Sequence, residues 1–171
     1  LSLMVQHNAK RLARIVDDVL DVSRVAPATG PGHVLPDAEG VISAICRDWA
    51  NQNGCGDQLR IAQTKAHSTI VFEEEHLRRV LVNLLDNALR YASKRPAAIE
   101  VFIHSPDRQE LQDNEDMQTT SKLRLAVWSD AAPIEQGVQR HLFEPFFSSE
   151  SRSSGLGLYI CRELCARHGA V

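Results

Sequence analysis

Several features are missing from this chain of 171 residues, and each absence removes a class of function. The formal net charge is only −3, so no global basic field draws nucleic acid to it. No apolar run approaches the ~20 residues that a membrane-spanning helix needs. Residues 1–8 lack the basic start and apolar block of a secretory leader. The chain begins without Met and inside a periodic pattern, so it reads as a piece of something longer. Its four cysteines, Cys46, Cys55, Cys161 and Cys165, include no CxxC spacing. Cys161 and Cys165 stand four apart on an expected helix and could offer half a metal site. The plainer reading is thiols buried in a reducing cytosol. Gly155 and Gly157 are not followed by Lys and Ser or Thr, which excludes a P-loop. No strand leads directly into them, which excludes a dinucleotide fingerprint. What is present is ordinary for a globular chain, 43% hydrophobic and 24% charged, with length for one good core plus an appendage.

The most informative stretch runs from Asn83 to Tyr91. Leu77, Val80, Leu81, Leu84, Leu85 and Ala88 fall at helical spacing, predicting a helix over 74–92. Asn83, Asn87, Arg90 and Tyr91 sit at i, i+4, i+7 and i+8, on one stripe of that helix. Asparagine competes for local backbone bonds and is a poor choice inside a helix. Either the stripe is a solvated polar face, or it holds a metal-bound polyphosphate. Amide oxygens suit a hard cation such as Mg2+, and a guanidinium suits phosphate oxygens.

The remaining pattern predicts the following order. Residues 2–25 form a helix with an apolar seam repeating every seven residues (Val5, Leu12 and Val19, with Ile15 and Val22), which suits one member of a helical bundle. His7 reads as a surface histidine near its start. Residues 27–36, rich in Pro and Gly, form a linker. A helix begins near Asp37, a candidate N-cap, presents Val41, Ile42, Ile45, Cys46 and Trp49 on one face, and ends at Asn53-Gly54-Cys55-Gly56. Residues 59–63, 68–72, 98–104 and 123–128 are expected strands. Between the last two, 105–122 is polar, acid-rich and without apolar period, a surface insertion by composition. A short helical stretch covers 136–142. Phe143-Glu144-Pro145-Phe146-Phe147 is an aromatic knot, residues 148–154 read as a flexible lid, and Gly155-Leu156-Gly157-Leu158 opens a last helix over 159–168. Glycines at a helix N-terminus allow backbone N–H groups to approach an anion.

Three ordered segments carry a resemblance. Asn83-Leu-Leu-Asp-Asn87-Ala-Leu-Arg90-Tyr91 resembles the N box of sensor histidine kinases, Leu142-Phe-Glu-Pro-Phe-Phe147 their F box, and Gly155-Leu-Gly157-Leu-Tyr-Ile their G2 box. Residues 37–171 are similar to that family's catalytic domain, and 1–26 to the second helix of its dimerisation and histidine-phosphotransfer hairpin. The last helix is most similar to the nitrogen-regulator and pilin-regulator branch. The resemblance implies an α+β fold: a two-layer α/β sandwich of the Bergerat, or GHKL, ATP-binding type with a mixed sheet, preceded by one long helix. It implies ATP and Mg2+ as cofactors and a protein-histidine kinase reaction, with Asn83, Asn87 and Arg90 working at the phosphates. Asn87, helped by Asn83, would hold the metal. Tyr91, Ser129 or Asp130, Ile134, Phe143, Phe147 and the run Gly155, Leu156, Gly157 and Leu158 would contact the nucleotide. Implied partners are the phosphoacceptor helix of its own homodimer and the receiver domain of a response regulator. No nucleic acid is implied, and a membrane only through an N-terminal region outside this chain. The implied place is a cytoplasmic domain of an inner-membrane protein. The alternative is a degenerate domain of the same fold that acts as a non-catalytic signalling module.

In related ATPases of this superfold a carboxylate stands where this chain has Asn83 and activates water. An amide cannot act as a general base, so ATP should survive until a histidine arrives. Two departures from the family stand out. Its G1 box usually reads Asp-x-Gly-x-Gly, the Asp accepting from the adenine amino group. Here the segment is Val127-Trp128-Ser129-Asp130-Ala131-Ala132-Pro133-Ile134, with Ser129 in the Asp place, or Asp130 after a shift of one. Weakened ATP binding is the expectation, since losing a good acceptor costs roughly 1–2 kcal/mol. The His-Glu phosphoacceptor box is absent, and His7 sits in the wrong helix, so self-phosphorylation is not expected of this chain.

Overall fold

The computed structural model describes residues 33–63, 68–105, 123–147 and 154–171. The expected bundle helix with His7, most of the linker, nearly all of the 105–122 insertion and the lid residues 148–153 lie outside the described residues. Two units are distinguished, Gly32–Ala132 and a second that includes Pro133–Val171.

In the first unit, Asp37 caps helix α1 (Ala38–Asn53), its carboxylate accepting from Gly40 N at 3.2 Å. Gly54 ends the helix in the left-handed region at φ 63°, and the Cys55 N–H reaches back to Ala50 O at 3.0 Å. Ile42, Ile45, Cys46 and Trp49 form its buried face. Strand β1 (Val34–Leu35) pairs antiparallel with β3 (Ile70–Val71). β1 lies inside the stretch expected to be linker, because two residues between prolines and glycines show no alternation. β3 is shorter than the strand expected over 68–72.

The main sheet has three strands in the order β2 (Leu59–Gln63), β4 (Ile99–His104), β5 (Arg124–Ser129). β2 and β4 run parallel, and β4 and β5 antiparallel, so the sheet is mixed. Helix α2 (Glu74–Tyr91) lies on the crossover between the parallel pair. It presents Leu77, Leu81, Leu85 and Ala88 to a core shared with α1 and with Ile99, Val101 and Ile103 of β4. Each fully buried Leu or Ile contributes roughly 1.5–3 kcal/mol. Helices therefore cover one sheet face. The other carries the Arg60–Glu100 ion pair at 3.4 Å with exposed Phe102 and Trp128. Trp49 Nε1 donates to Asp86 Oδ1 at 2.8 Å, joining α1 to α2.

The described part of the second unit holds a single helical turn, α3 (Gln136–Gln139), and helix α4 (Gly157–Arg167). α4 begins two residues earlier than the sequence suggests, and Leu156, Ile160, Cys161 and Leu164 are buried. The cysteines are free thiols. Burial pushes Cys46 up to about 11 and raises Cys165, which suits the reading of unreactive thiols.

Candidate functional site

Helix α2 carries the expected polar stripe on the flank of its apolar face. Asn83 and Asn87, one turn apart, are half-buried, while Arg90 and Tyr91 in the last turn are exposed. One end of the Asn83 carboxamide, Nδ2, is buried without a hydrogen-bond partner among the described residues. A buried donor left unmade costs about 1–3 kcal/mol, so the position makes physical sense once a ligand supplies the missing acceptor. Two side-chain amides followed by a guanidinium are the donor and acceptor set that a hard cation with phosphate oxygens requires. The neighbouring Asp86 serves instead as the acceptor for Trp49.

The end of β5 meets the connection that follows α2. The Asp130 N–H bonds Ala98 O at 3.0 Å, adding one rung to the β4–β5 ladder. Its Oδ1 accepts from Ser93 N at 2.8 Å, and Oδ2 from Ser93 Oγ at 2.6 Å and Arg95 Nη2 at 2.7 Å. The Ser93 hydroxyl and N–H, then the Arg95 guanidinium, hold this carboxylate down at about 2. Asp130 is thus a clasp between β5 and the α2–β4 connection. Sequence reasoning found Asp130 but not this use, because Ser93 and Arg95 look like loop filler until the turn brings them beside β5. Ser129, one residue earlier, shares the sheet face of Leu125 and Val127, and these two pack against the core.

In the second unit the Phe-rich and Gly-rich segments meet. Gly155 has φ +68°, and a Cβ there would stand 2.6 Å from Phe146 C, 2.7 Å from Phe147 O and 2.8 Å from Phe147 N. Glycine is needed at this point for the chain's own close approach, whatever else it meets. Phe146 also has a positive φ, 64°. Phe143 and Phe146 are exposed, and the Phe147 ring lies against His141 with centroids 5.3 Å apart. His141 Nδ1 is 2.9 Å from Glu144 Oε1. Ile134 is exposed, and its carbonyl accepts from Gln139 Nε2 at 2.7 Å. Gly157 opens α4, and Leu158 is half-buried in its first turn.

Comparison with known proteins adds to this geometry. Residues 72–171 match the family model described as histidine kinase-, DNA gyrase B-, and HSP90-like ATPase. The chain is 27% identical over 170 residues to the sensor protein kinase PilS of Pseudomonas aeruginosa, covering 99% of this chain and 30% of that protein. It is 29% identical over 104 residues to the adaptive-response sensory kinase SasA of Rippkaea orientalis, covering 58% of this chain and 23% of that one. It therefore spans less than a third of the length of these relatives. Among solved structures, the nucleotide-free catalytic domain of histidine kinase ThkA aligns with a TM-score of 0.60 at 20% identity, over 81% of this chain and 82% of that one. Full-length ShkA in complex with AMPPNP aligns with a TM-score of 0.67 at 23% identity, over 92% and 31%. ThkA in complex with the response regulator TrrA aligns at 0.66 and 19%, over 98% and 43%. At these identities the structural likeness speaks for the α+β ATP-binding fold.

Proposed function

Since the chain belongs to the histidine kinase-, DNA gyrase B- and HSP90-like ATPase family, we infer that it is the ATP-binding catalytic domain of a two-component sensor histidine kinase. In this reading it presents the γ-phosphoryl of ATP to a histidine on a helix outside the chain, and the phosphoryl passes on to an aspartate of a response regulator. Residues 1–26 then supply one helix of the dimerising hairpin, and 37–171 the catalytic domain. The likeness to the sensor protein kinase PilS supports a place within a longer sensor kinase, and in this reading the domain lies on the cytoplasmic side of an inner-membrane sensor. The structure of ThkA with its regulator supports a receiver domain as partner.

One observation carries the reading: Asn83 and Asn87 stand a turn apart on α2, and the buried Asn83 Nδ2 has no hydrogen-bond partner among the described residues. These amides would hold a magnesium ion, which supplies charge neutralisation at the phosphates. Arg90 binds phosphate oxygen and Tyr91 lines the nucleotide. Asn83 positions the triphosphate without activating water, so hydrolysis is suppressed and the attacking group is left to be an imidazole. The Gly155 segment and the Phe143–Phe147 run, which meet in the structure, form the root of a lid.

The engagement of Asp130 by Ser93 and Arg95 favours a second reading, a module that has lost nucleotide and signals by binding alone. A thermal-shift titration separates them. Mg-ATP at millimolar concentration should raise the melting temperature of the wild type, by an amount set by the ratio of ligand to Kd. The shift should vanish in Asn87→Ala. No shift in the wild type leaves the binding module.

A further inference from the structure

The first unit holds a cleft that none of the stripe residues lines. It has a volume of about 300 Å³ and opens between the turn that ends α1 and the connection from α2 to β4. Residues 54–58 form one wall, and Lys94 and Pro96 the other. The walls are pinned together, because the Ala97 N–H donates to Asp57 O at 2.9 Å. Ala97 has φ 54°, in the left-handed region, which a residue with a side chain keeps only where its surroundings hold it. Strain of this kind gathers at ligand sites. The cleft is thus formed before anything enters it.

Its polar groups are uncommitted. The Asp57 carboxylate, the Gln58 carboxamide and the Lys94 ammonium make no side-chain hydrogen bond or ion pair among the described residues. Opposite charges elsewhere close on each other, as Arg60 does on Glu100 at 3.4 Å and Arg95 on Asp130 at 2.7 Å. Asp57 and Lys94 line one cleft without meeting, which leaves a gap for a ligand that carries both charges. Gly56 keeps that gap open. Its φ is outside the left-handed region and a Cβ there would meet nothing within 4 Å, so neither backbone nor packing asks for glycine. Such a volume holds about ten waters at ~30 Å³ each, which limits an occupant to roughly ten non-hydrogen atoms. A polyphosphate is too large, and a small ion of either sign meets one like charge. We propose that this cleft binds a small zwitterion of the α-amino acid class, its ammonium on Asp57 and its carboxylate on Lys94, with Gln58 as a further hydrogen-bonding partner. The site does not depend on the nucleotide reading above.

The test follows backbone amide resonances of the isotope-labelled chain during titration with L-alanine and the larger L-asparagine. Propionate and ethylamine, which each lack one of the two charges, are the comparison compounds. Resonances of Gly54, Gly56 and Gln58 should move saturably with at least one amino acid at millimolar concentration. Each single-charge compound should need a concentration about tenfold higher or more, because it leaves one group of the site unpaired. Asp57→Ala and Lys94→Ala should each abolish the saturable movement. Gly56→Phe, at a position that accepts a side chain, should fill the cleft and do the same while resonances of the β4 core keep their places. No saturable movement with either amino acid, equal binding of a single-charge compound, or binding that survives these substitutions overturns the proposal. None of these outcomes touches the kinase reading, which the Mg-ATP thermal shift tests.

Discussion

Gly155 and Asp130 show how single positions are fixed by contacts that local sequence does not display. At Gly155 a methyl group would overlap the backbone of Phe146 and Phe147, and φ is +68°. Gly155→Ala should lower stability by about 1–3 kcal/mol, measured by urea denaturation, because neither backbone conformation nor space allows the side chain. Asp130 gives a pH signature. Its carboxyl is held at about 2, against an ordinary 3.8, by Ser93 and Arg95. A lowered folded-state value means that the contribution is complete above the unfolded value and fades as pH falls through the folded one. Melting curves of wild type and Asp130→Asn should therefore differ most above pH 4 and converge toward pH 2. Asn83 and Asn87 stand out in the sequence because asparagine is a poor choice inside a helix, and Gly155 only because it precedes one beside a second glycine. The clasp does not, since it joins Asp130 to residues 37 and 35 positions away, through two hydrogen bonds from Ser93 and one from Arg95.

At the level of elements, periodicity found α1, α2, β2 and β4 with ends correct to a residue or two. Two of them carry plain local marks: Asp37 and Gly54 around α1, and buried Ile99, Val101 and Ile103 against Glu100, Phe102 and His104 in β4. Periodicity missed β1 and overextended β3, because two-residue strands exist through their pairing and not through any pattern of their own. It could not reveal that α1 and α2 are joined by Trp49 and Asp86, a contact set by how the helices lie on the sheet. Trp49→Phe removes the indole N–H and leaves the carboxylate without this donor. The expected loss is about 1–3 kcal/mol, read by chemical denaturation. Because α2 carries the amide stripe, a looser α2 should also weaken the Mg-ATP thermal shift.

Over the whole molecule, the order of strands could not be read from periodicity. A mixed sheet needs the crossover from β2 to β4 and then the reversal into β5, and neither leaves a local trace. Family resemblance supplied the expectation of a mixed sheet, though not the strand order, and the three boxes supplied the candidate site residues. The pairing of β5 with β4 decides what the site presents. Alternation sends successive side chains to opposite faces, so sliding β5 by one position would exchange Ser129 and Asp130 between the helix side and the rim. The clasp therefore acts as a register lock. The ambiguity between two neighbouring letters in the sequence is, in three dimensions, a choice between two strand alignments, and the bonds from Ser93 and Arg95 make that choice.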